Sequence, residues 1–374
     1  MVVAGLWGGM LADAFDRRRV LIVTGIVSWV SILGIVTMAV FEATLGASHV
    51  PLWPLYVLTT LTTMASTISQ ATRSAVIPRI LPAELVSRAS ALNGISIGLQ
   101  VTIGPALAGV LVATVGFPAT FAVDAILFTV GFLGIVTLPK LAPLASAVRP
   151  GLESLRDGLG YLRTAPNVRM SFIVDIIAMT FGRPIVLYPA IGAVVIGGGP
   201  VTVGILTAAT AVGSFLASLF SGPVQHIHRH GVAVGRAITV YGAFIALFGV
   251  VIALTQFGVF GPAGTVDDPR VLALVIAAVA LAGSGASDEV SAIFRSTILL
   301  TAAPDDMRGR LQGVFTVVVG GGPRVGDLYA GLLASAAVLW FPPLLGGLVI
   351  VAAITVLVRL SPGFRAYDSR HPTA

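Results

Sequence analysis

The chain has 374 residues, of which 56% are hydrophobic and 10% are charged, with a formal net charge of +6. Soluble domains carry roughly 25% charged residues, so this composition excludes a soluble protein. The lack of cysteine in the sequence excludes disulfides, thiolate catalysis and thiolate-bound metals. We attribute the positive charge to basic loops at a membrane surface, and not to nucleic-acid binding.

The hydrophobic residues form long blocks, which predict membrane-spanning helices and not the alternating segments of a β-barrel. A first apolar stub at 2–12 would cover only about half of a ~30 Å hydrocarbon core, so we interpret it as the end of a helix whose beginning is missing. The ten complete spans predicted after it are 20–41, 53–77, 89–115, 118–138, 168–196, 201–222, 234–256, 272–302, 311–337 and 339–359. The predicted fold class is all-α integral membrane.

The basic residues predict the orientation of the chain. Nearly all arginines and the single lysine among the loops fall on alternate connections, such as those at 17–19, 79–88 and 359–370. The opposite connections contain only Arg270. Because basic loops face the cytoplasm, the C-terminus is predicted to be cytoplasmic in a multi-pass protein of the cell (plasma or inner) membrane.

The connection 139–167 is the longest polar stretch and divides the chain into domains. We predict an incomplete N-terminal bundle at 1–138, a linker at 139–167, a six-span C-terminal bundle at 168–360 and a cytoplasmic tail at 361–374. Leucines at helical spacing within the linker predict an amphipathic helix at the membrane surface, with a partner-binding helix as the alternative. These leucines are Leu152, Leu155, Leu159 and Leu162.

An internal repeat appears when the chain is shifted by 222 residues. The shift aligns Arg73-Ser74 with Arg295-Ser296, and Pro82 with Pro304. An even number of spans separates the copies, so the two halves run in the same sense. This predicts two parallel helical-bundle repeats of six spans, of which the first span and most of the second are missing.

The first basic loop carries a motif that resembles the signature of the major facilitator superfamily. The segment 9–19 has the spacing G-x-L-a-D-r-x-g-r-[RK], in which the matching residues are Gly9, Asp13, Arg17 and Arg18. The resemblance implies a cytoplasmic gating motif in which an acid opposite basic residues forms a breakable latch. The alternative is a generic basic loop.

A second motif lies in the span 89–115. Gly98 and the run Gly104-Pro105-Ala106-Leu107-Ala108-Gly109 resemble the antiporter motif of drug–proton exchangers, although Ala108 replaces one glycine. Proline and glycine also kink and pack membrane helices for purely structural reasons, so this alternative stays open.

The second half resembles the enterobactin-exporter branch of the superfamily, close to macrolide efflux proteins. The matching stretches include 181–184, 197–200 and 304–310. The resemblance implies a proton-coupled antiporter that exports a siderophore-like or drug-like amphiphilic molecule by alternating access. It implies a monomer in membrane lipid, with a small-molecule substrate and protons as partners and without cofactor, metal or nucleic acid.

Charged residues within the predicted spans are the default functional candidates, because each is costly in hydrocarbon unless it is paired or hydrated. We expect Asp288 to share a helix face with Arg295, seven residues on. Asp175 has no partner on its own helix, and an unpaired acid in a partly dry cavity can exchange protons near neutral pH. The candidate proton or cation sites are Asp175, Asp288 and Glu289. The other cavity candidates are Arg183, Arg295, Arg324 and Asp327.

Two pairs and three histidines also have structural interpretations. Asp288–Arg295 and Arg324–Asp327 could be structural salt bridges as well as transport sites. His226, His228 and His230 alternate, which favours a solvated basic loop over a metal site. A membrane enzyme is disfavoured because no catalytic cluster is visible in the sequence, while a non-functional transporter fragment remains an alternative.

Overall fold

A computed structural model describes residues 15–45, 51–80, 82–139, 152–222, 227–262, 264–265 and 268–370. The predicted stub at 2–12 lies outside these residues. The described part of the chain is almost entirely helical. Its helices are α1 Arg17–Leu45, α2 Trp53–Ile80, α3 Ala83–Val136, α4 Leu152–Thr164, α5 Pro166–Phe181, α6 Tyr188–Val194, α7 Gly199–Leu219, α8 His230–Gln256, α9 Val271–Ala302, α10 Asp305–Ala336, α11 Phe341–Leu360 and α12 Pro362–Ala366.

Seven helical segments in the described residues are long and apolar enough to cross a membrane. The fold class predicted from hydropathy is therefore confirmed. The predicted spans in α2, in the first half of α3 and in α10 are not among the seven. The seven segments are Arg17–Thr44, Leu107–Val136, Pro166–Val194, Gly199–Leu219, His230–Gln256, Val271–Leu299 and Phe341–Leu360.

Two predicted spans meet in α3. The predicted span 89–115 and all but the last two residues of the predicted span 118–138 lie within α3. Between them is Gly116, which has non-helical backbone angles of φ 78° and ψ 173°. A positive φ at this value is accessible to glycine at little cost, so the residue type permits the kink.

The predicted span 168–196 corresponds to the segment Pro166–Val194, which is long and apolar enough to cross a membrane, but the helix within this segment is interrupted. Helix α5 ends at Phe181, a short 3-10 turn follows at Ile185–Leu187, and α6 begins at Tyr188. Gly182 and Pro184 lie in the break. Proline lacks the amide hydrogen that a continuing helix needs, which disfavours an uninterrupted helix through this segment.

The helix boundaries follow the 222-residue repeat. Helices α2 and α9 end at Ile80 and Ala302, and α3 and α10 begin at Ala83 and Asp305. The prolines that precede α3 and α10 have nearly the same backbone angles, with φ −56° and ψ 150° in the first copy and φ −64° and ψ 153° in the second. The duplicated sequence therefore produces the same helix boundaries and the same proline conformation twice.

Two compact units divide the chain. One unit contains residues 1–97 and 111–153, and the other contains residues 98–110 and 154–374. Within the second unit, α8 packs against α9 and α11, α7 packs against α9, and α5 packs against α10. Helix α4 occupies Leu152–Thr164, where an amphipathic helix was predicted, with Leu162 buried and Leu159 exposed. The predicted domain boundaries stay a prediction.

Glycines allow close approach of the backbones of α8 and α11. A Cβ atom added to Gly242 of α8 would lie 2.7 Å from the Ile350 side chain and 2.9 Å from the carbonyl oxygen of Gly347. A Cβ atom on Gly347 would collide with the backbone of α8 around Ala246. Small residues at such crossings let the backbones pack closely. This van der Waals packing stabilises helix contacts in lipid, where no hydrophobic driving force acts between helices.

We expect Gly347→Ala to destabilise the C-terminal unit by about 1–3 kcal/mol, the usual cost of overpacking a tight contact. The matched control is Gly331→Ala in α10, where an added Cβ would meet nothing within 4 Å. At that position alanine should be neutral or slightly stabilising, because glycine inside a helix is unfavourable. Thermal unfolding in detergent measures both variants, and equal stability of the two would contradict the packing argument.

Candidate functional site

The centre of the site is Arg295 on α9, whose side chain lies between two carboxylates. Its Nη2 atom lies 2.9 Å from Oδ1 of Asp175 on α5 and 3.3 Å from Oδ1 of Asp288 on its own helix. The side chains of Asp175 and Arg295 are 2% and 7% exposed, whereas that of Asp288 is 27% exposed. We call Asp175, Asp288 and Arg295 the charged cluster.

The charged cluster lies deep within the helices. Asp175 is nine residues from the first residue of α5, which corresponds to about 14 Å along the axis and roughly half of a ~30 Å hydrocarbon core. The charged cluster contains two acids and one base, so it carries one net negative charge when both acids are ionised. A buried uncompensated charge is costly, which makes this arrangement an energetically demanding one.

A cavity of about 230 Å3 adjoins the charged cluster. Asp175, Arg295 and the hydroxyl-bearing Ser171 and Ser296 line it together with Phe172, Leu299 and Phe315. Among the described residues, Oδ2 of Asp175 and Nε and Nη1 of Arg295 are buried without a hydrogen-bond partner, and Oδ1 of Asp175 has only its ion pair with Nη2 of Arg295. At ~30 Å3 per water molecule, the cavity has room for about seven waters, which could complete these hydrogen bonds.

A second cavity, of about 190 Å3, lies at the break between α5 and α6. Arg183, Tyr188, Tyr241 and Asp288 are among its lining residues. The Tyr241 hydroxyl donates a hydrogen bond of 2.6 Å to the carbonyl oxygen of Gly182, so it satisfies a backbone group that the helix break leaves free. Asp288 therefore connects the charged cluster to a cavity formed by a discontinuous helix.

The structure contains both ion pairs predicted from helical spacing. Asp288 pairs with Arg295, and Arg324 lies 3.4 Å from Asp327 in the i, i+3 pair on α10. The expectation that Asp175 is unpaired was wrong, because Arg295 reaches it from a different helix. Sequence spacing identifies partners on the same helix only. It could not predict that Asp175 of α5 and Arg295 of α9 lie next to each other.

Two other candidate residues separate from the charged cluster. Glu289 accepts a hydrogen bond of 2.7 Å from the Ser218 hydroxyl of α7 and lines neither cavity. Arg324 and Asp327 also line neither cavity, and the Arg324 side chain is 59% exposed. The structure therefore groups Asp175, Asp288 and Arg295 with Arg183 as the fourth cavity-lining charge.

The predicted gating motif is only partly within the described residues. Gly9 and Asp13 lie outside them. Arg17 is buried, and the Arg18 guanidinium donates a hydrogen bond of 2.8 Å to the carbonyl oxygen of Val136 at the C-terminal end of α3. A cation at this end of a helix interacts favourably with its carbonyl groups.

The predicted antiporter motif lies on α3, with Gly98, Gly104, Pro105 and Gly109 all in helical conformation. Gly109 is the residue with a clear packing role. A Cβ atom there would lie 2.8 Å from the carbonyl oxygen of Pro200 and 3.0 Å from Cα of Gly204. This contact joins residues 98–110 to α7 within the second unit.

The interpretation of His230 as part of a solvated loop was wrong. It is the first residue of α8 and is buried, with its ring centroid 5.0 Å from that of Phe294 and 6.2 Å from that of Tyr367. Aromatic packing against the C-terminal segment therefore explains this residue. His228 is partly buried, and His226 lies outside the described residues.

The chain is similar to a family of known transporters. A family model described as "transmembrane secretion effector" matches residues 1–372. The enterobactin exporter EntS of Citrobacter koseri is 25% identical over 365 residues, covering 96% of this chain and 80% of that protein. EntS of Escherichia coli strain SMS-3-5 is also 25% identical, over 99% of this chain and 85% of the relative.

Solved transporter structures have the same fold. The xylose transporter XylE of E. coli, in an inward open conformation, matches 95% of this chain and 82% of its own with a TM-score of 0.61 and 15% identity. A POT family transporter in complex with 5-aminolevulinic acid matches 97% of this chain and 85% of its own, with a TM-score of 0.65 and 11% identity. The chain thus belongs to the transmembrane secretion effector family of the major facilitator superfamily and is a multi-pass secondary transporter rather than an enzyme.

Proposed function

We propose that this protein is a proton-coupled antiporter that exports a siderophore-like or drug-like amphiphilic molecule, and that the charged cluster is its proton site. The observation that carries the proposal is that one guanidinium pairs with two carboxylates, the buried one of Asp175 and the partly exposed one of Asp288, beside a cavity large enough for water. Ionisable groups at this depth in a membrane protein are typical of ion pathways and proton relays.

The charge balance of the cluster provides the coupling. When Asp175 or Asp288 binds one proton, the two acids and Arg295 become neutral together. When the proton leaves, the buried cluster carries one negative charge, which favours a conformation in which water or another cation reaches it. A proton and a substrate can then favour opposite conformations of the two bundles, and this is alternating access.

The export direction and the class of substrate rest on similarity. The relatives at 25% identity carry the name enterobactin exporter, and the run from Gly104 to Gly109 resembles an antiporter motif. The two cavities beside the charged cluster, at about 230 and 190 Å3, are each smaller than the ~300–1,000 Å3 of a typical small-molecule site. We therefore propose that neither of these two cavities by itself holds the substrate.

The orientation follows from the arginines. Arg270, the exception to the predicted distribution, donates hydrogen bonds of 2.7 Å to the carbonyl oxygens of Pro262 and Gly261, and it also contacts those of Val195 and Thr255. These hydrogen bonds give Arg270 a structural role, so its presence on the opposite connection is compatible with the proposed orientation. The distribution of the remaining arginines supports our proposal that the C-terminus and the gating motif of Gly9, Asp13, Arg17 and Arg18 are cytoplasmic.

In proteoliposomes with an imposed pH gradient, Asp175→Asn and Asp288→Asn should abolish gradient-driven transport of enterobactin or erythromycin, the two probes. Exchange of labelled for unlabelled probe at equal pH should persist, because exchange requires no net proton movement. The matched control is Asp268→Asn, which removes an exposed carboxylate in the connection before α9.

Two outcomes would overturn proton coupling through this cluster. One is wild-type transport that continues after an ionophore collapses the pH gradient. The other is gradient-driven transport by both the Asp175→Asn and Asp288→Asn variants at the rate of the Asp268→Asn control.

The charge balance of the cluster also predicts how substitutions in it change the stability of the C-terminal unit. Arg295→Gln leaves the buried carboxylate of Asp175 without its ion-pair partner and should destabilise the C-terminal unit by about 3–5 kcal/mol. Asp175→Asn should cost much less, because Arg295 and Asp288 remain as a neutral pair. Thermal unfolding at neutral pH in detergent compares the variants. A larger loss of thermal stability for Asp175→Asn than for Arg295→Gln would contradict the argument that the cluster has one negative charge in excess.

The lack of native cysteine allows a direct test of orientation. Ala366→Cys in the C-terminal segment should react with a membrane-impermeant maleimide in inside-out vesicles but not in intact cells. Val259→Cys, at a position that is 63% exposed in the connection between α8 and α9, should show the reverse. Labelling of Ala366→Cys in intact cells would contradict the proposed cytoplasmic C-terminus.

A further inference from the structure

A third cavity in the second unit is a groove that shares no lining residue with the two cavities beside the charged cluster. It has a volume of about 960 Å3 and lies between the start of α8, the second half of α9 and the short helix α12. Its apolar wall includes Val232, Val240 and Val290. Ile227 and Val240 are 43% and 46% exposed, so the groove opens to the outside of the unit. We call it the basic groove, because it also contains three arginines.

The charge of the basic groove is entirely of one sign. Arg229, Arg236 and Arg365 line it, and its lining contains neither aspartate nor glutamate. Arg229 and Arg365 are exposed, as is Arg236 one and a half turns into α8. Among the described residues, no ion pair or side-chain hydrogen bond joins any of the three to another group. Three arginines that line one groove without an acidic residue in its lining favour an anion.

The position of the basic groove selects the kind of anion. Arg229 immediately precedes α8, and Arg365 follows the end of α11 by five residues, so both lie where spans leave the hydrocarbon. Arg236 lies seven residues after Arg229, about 10 Å deeper along the axis, from where a long side chain can extend toward the interface. The apolar wall continues from the arginines along α8 to Val240. A free anion would contact only the arginines, whereas an anionic phospholipid would contact both the arginines and the apolar wall.

We propose that the basic groove binds one anionic phospholipid, with its phosphate held by Arg229, Arg236 and Arg365 and an acyl chain against the valines. Guanidinium groups form paired hydrogen bonds with phosphate oxygens, which suits this headgroup. Basic pockets between spans at the membrane surface have the chemistry that binds phosphate-rich lipid headgroups. The site is independent of the proton site, because it shares no residue with either cavity beside the charged cluster.

The test uses the whole chain in nanodiscs of phosphatidylcholine that contain a minor fraction of cardiolipin or phosphatidylglycerol. Native mass spectrometry counts the anionic lipid retained after release from the disc. The test variant replaces Arg229, Arg236 and Arg365 by glutamine. The control replaces Arg156, Arg163 and Arg359, which are exposed and do not line the basic groove, and it changes the net charge by the same amount.

The groove variant should lose affinity for the anionic lipid by about fivefold per arginine and about a hundredfold in all, from the usual contribution of a basic residue near an anionic surface. The control should retain most of the wild-type affinity. Equal losses in the two variants would overturn the proposal in favour of general attraction to the membrane surface.

A second variant separates the lipid from a free anion. Ala237→Phe fills the apolar part of the basic groove and leaves every arginine in place. It should reduce retention of the anionic lipid while a monodisperse elution profile shows that the protein is folded. Unchanged retention in this variant, or displacement of the lipid by inorganic phosphate at constant ionic strength, would show an anion site without lipid specificity and would overturn the proposal.

Discussion

The buried guanidinium of Arg295 is the constraint around which the C-terminal unit is organised. A charge at this depth must be paired or hydrated, and Arg295 is paired twice, with Asp175 on α5 and with Asp288 on its own helix. The pairing fixes which faces of α5 and α9 meet. Because two acids share one base, this interaction between the helices also leaves one acid of the cluster without a counter-charge of its own. Structure and proposed coupling therefore depend on the same three side chains.

The break in the first span of this unit lies next to that cluster. A helix interrupted in the hydrocarbon leaves backbone groups that another residue must satisfy, and the Tyr241 hydroxyl does this for the carbonyl of Gly182. Glycines bring neighbouring helices against the same segment: a Cβ atom on Gly326 of α10 would lie 2.6 Å from the carbonyl oxygen of Met179. The discontinuity is thus supported on several sides, and it creates the cavity that Arg183 and Asp288 line.

Hydropathy and spacing predict most of the helices, because burial in lipid requires long apolar segments with internal hydrogen bonds. They also predict Asp288 with Arg295 and Arg324 with Asp327, since residues on one helix have fixed relative positions. They could not predict the contact from Asp175 to Arg295, which depends on how two helices face each other. The break at Gly182 and Pro184 was missed although both residues indicate one, because the apolar composition continues through it.

The internal repeat allows the pair Asp288–Arg295 to be compared with the equivalent positions of the first half. At the shift of 222 residues, Arg295 corresponds to Arg73, and Asp288 corresponds to Ser66. Arg73 is exposed and Arg295 is 6% exposed, so the two copies keep the arginine but differ in its burial. The Ser66 hydroxyl bonds to the carbonyl oxygen of Thr63 on its own helix and supplies no negative charge. The exposed Arg73 has no acid seven residues before it, whereas the buried Arg295 has Asp288. The helix geometry was retained in both copies, whereas the paired charge that can bind a proton is present in this position only in the second.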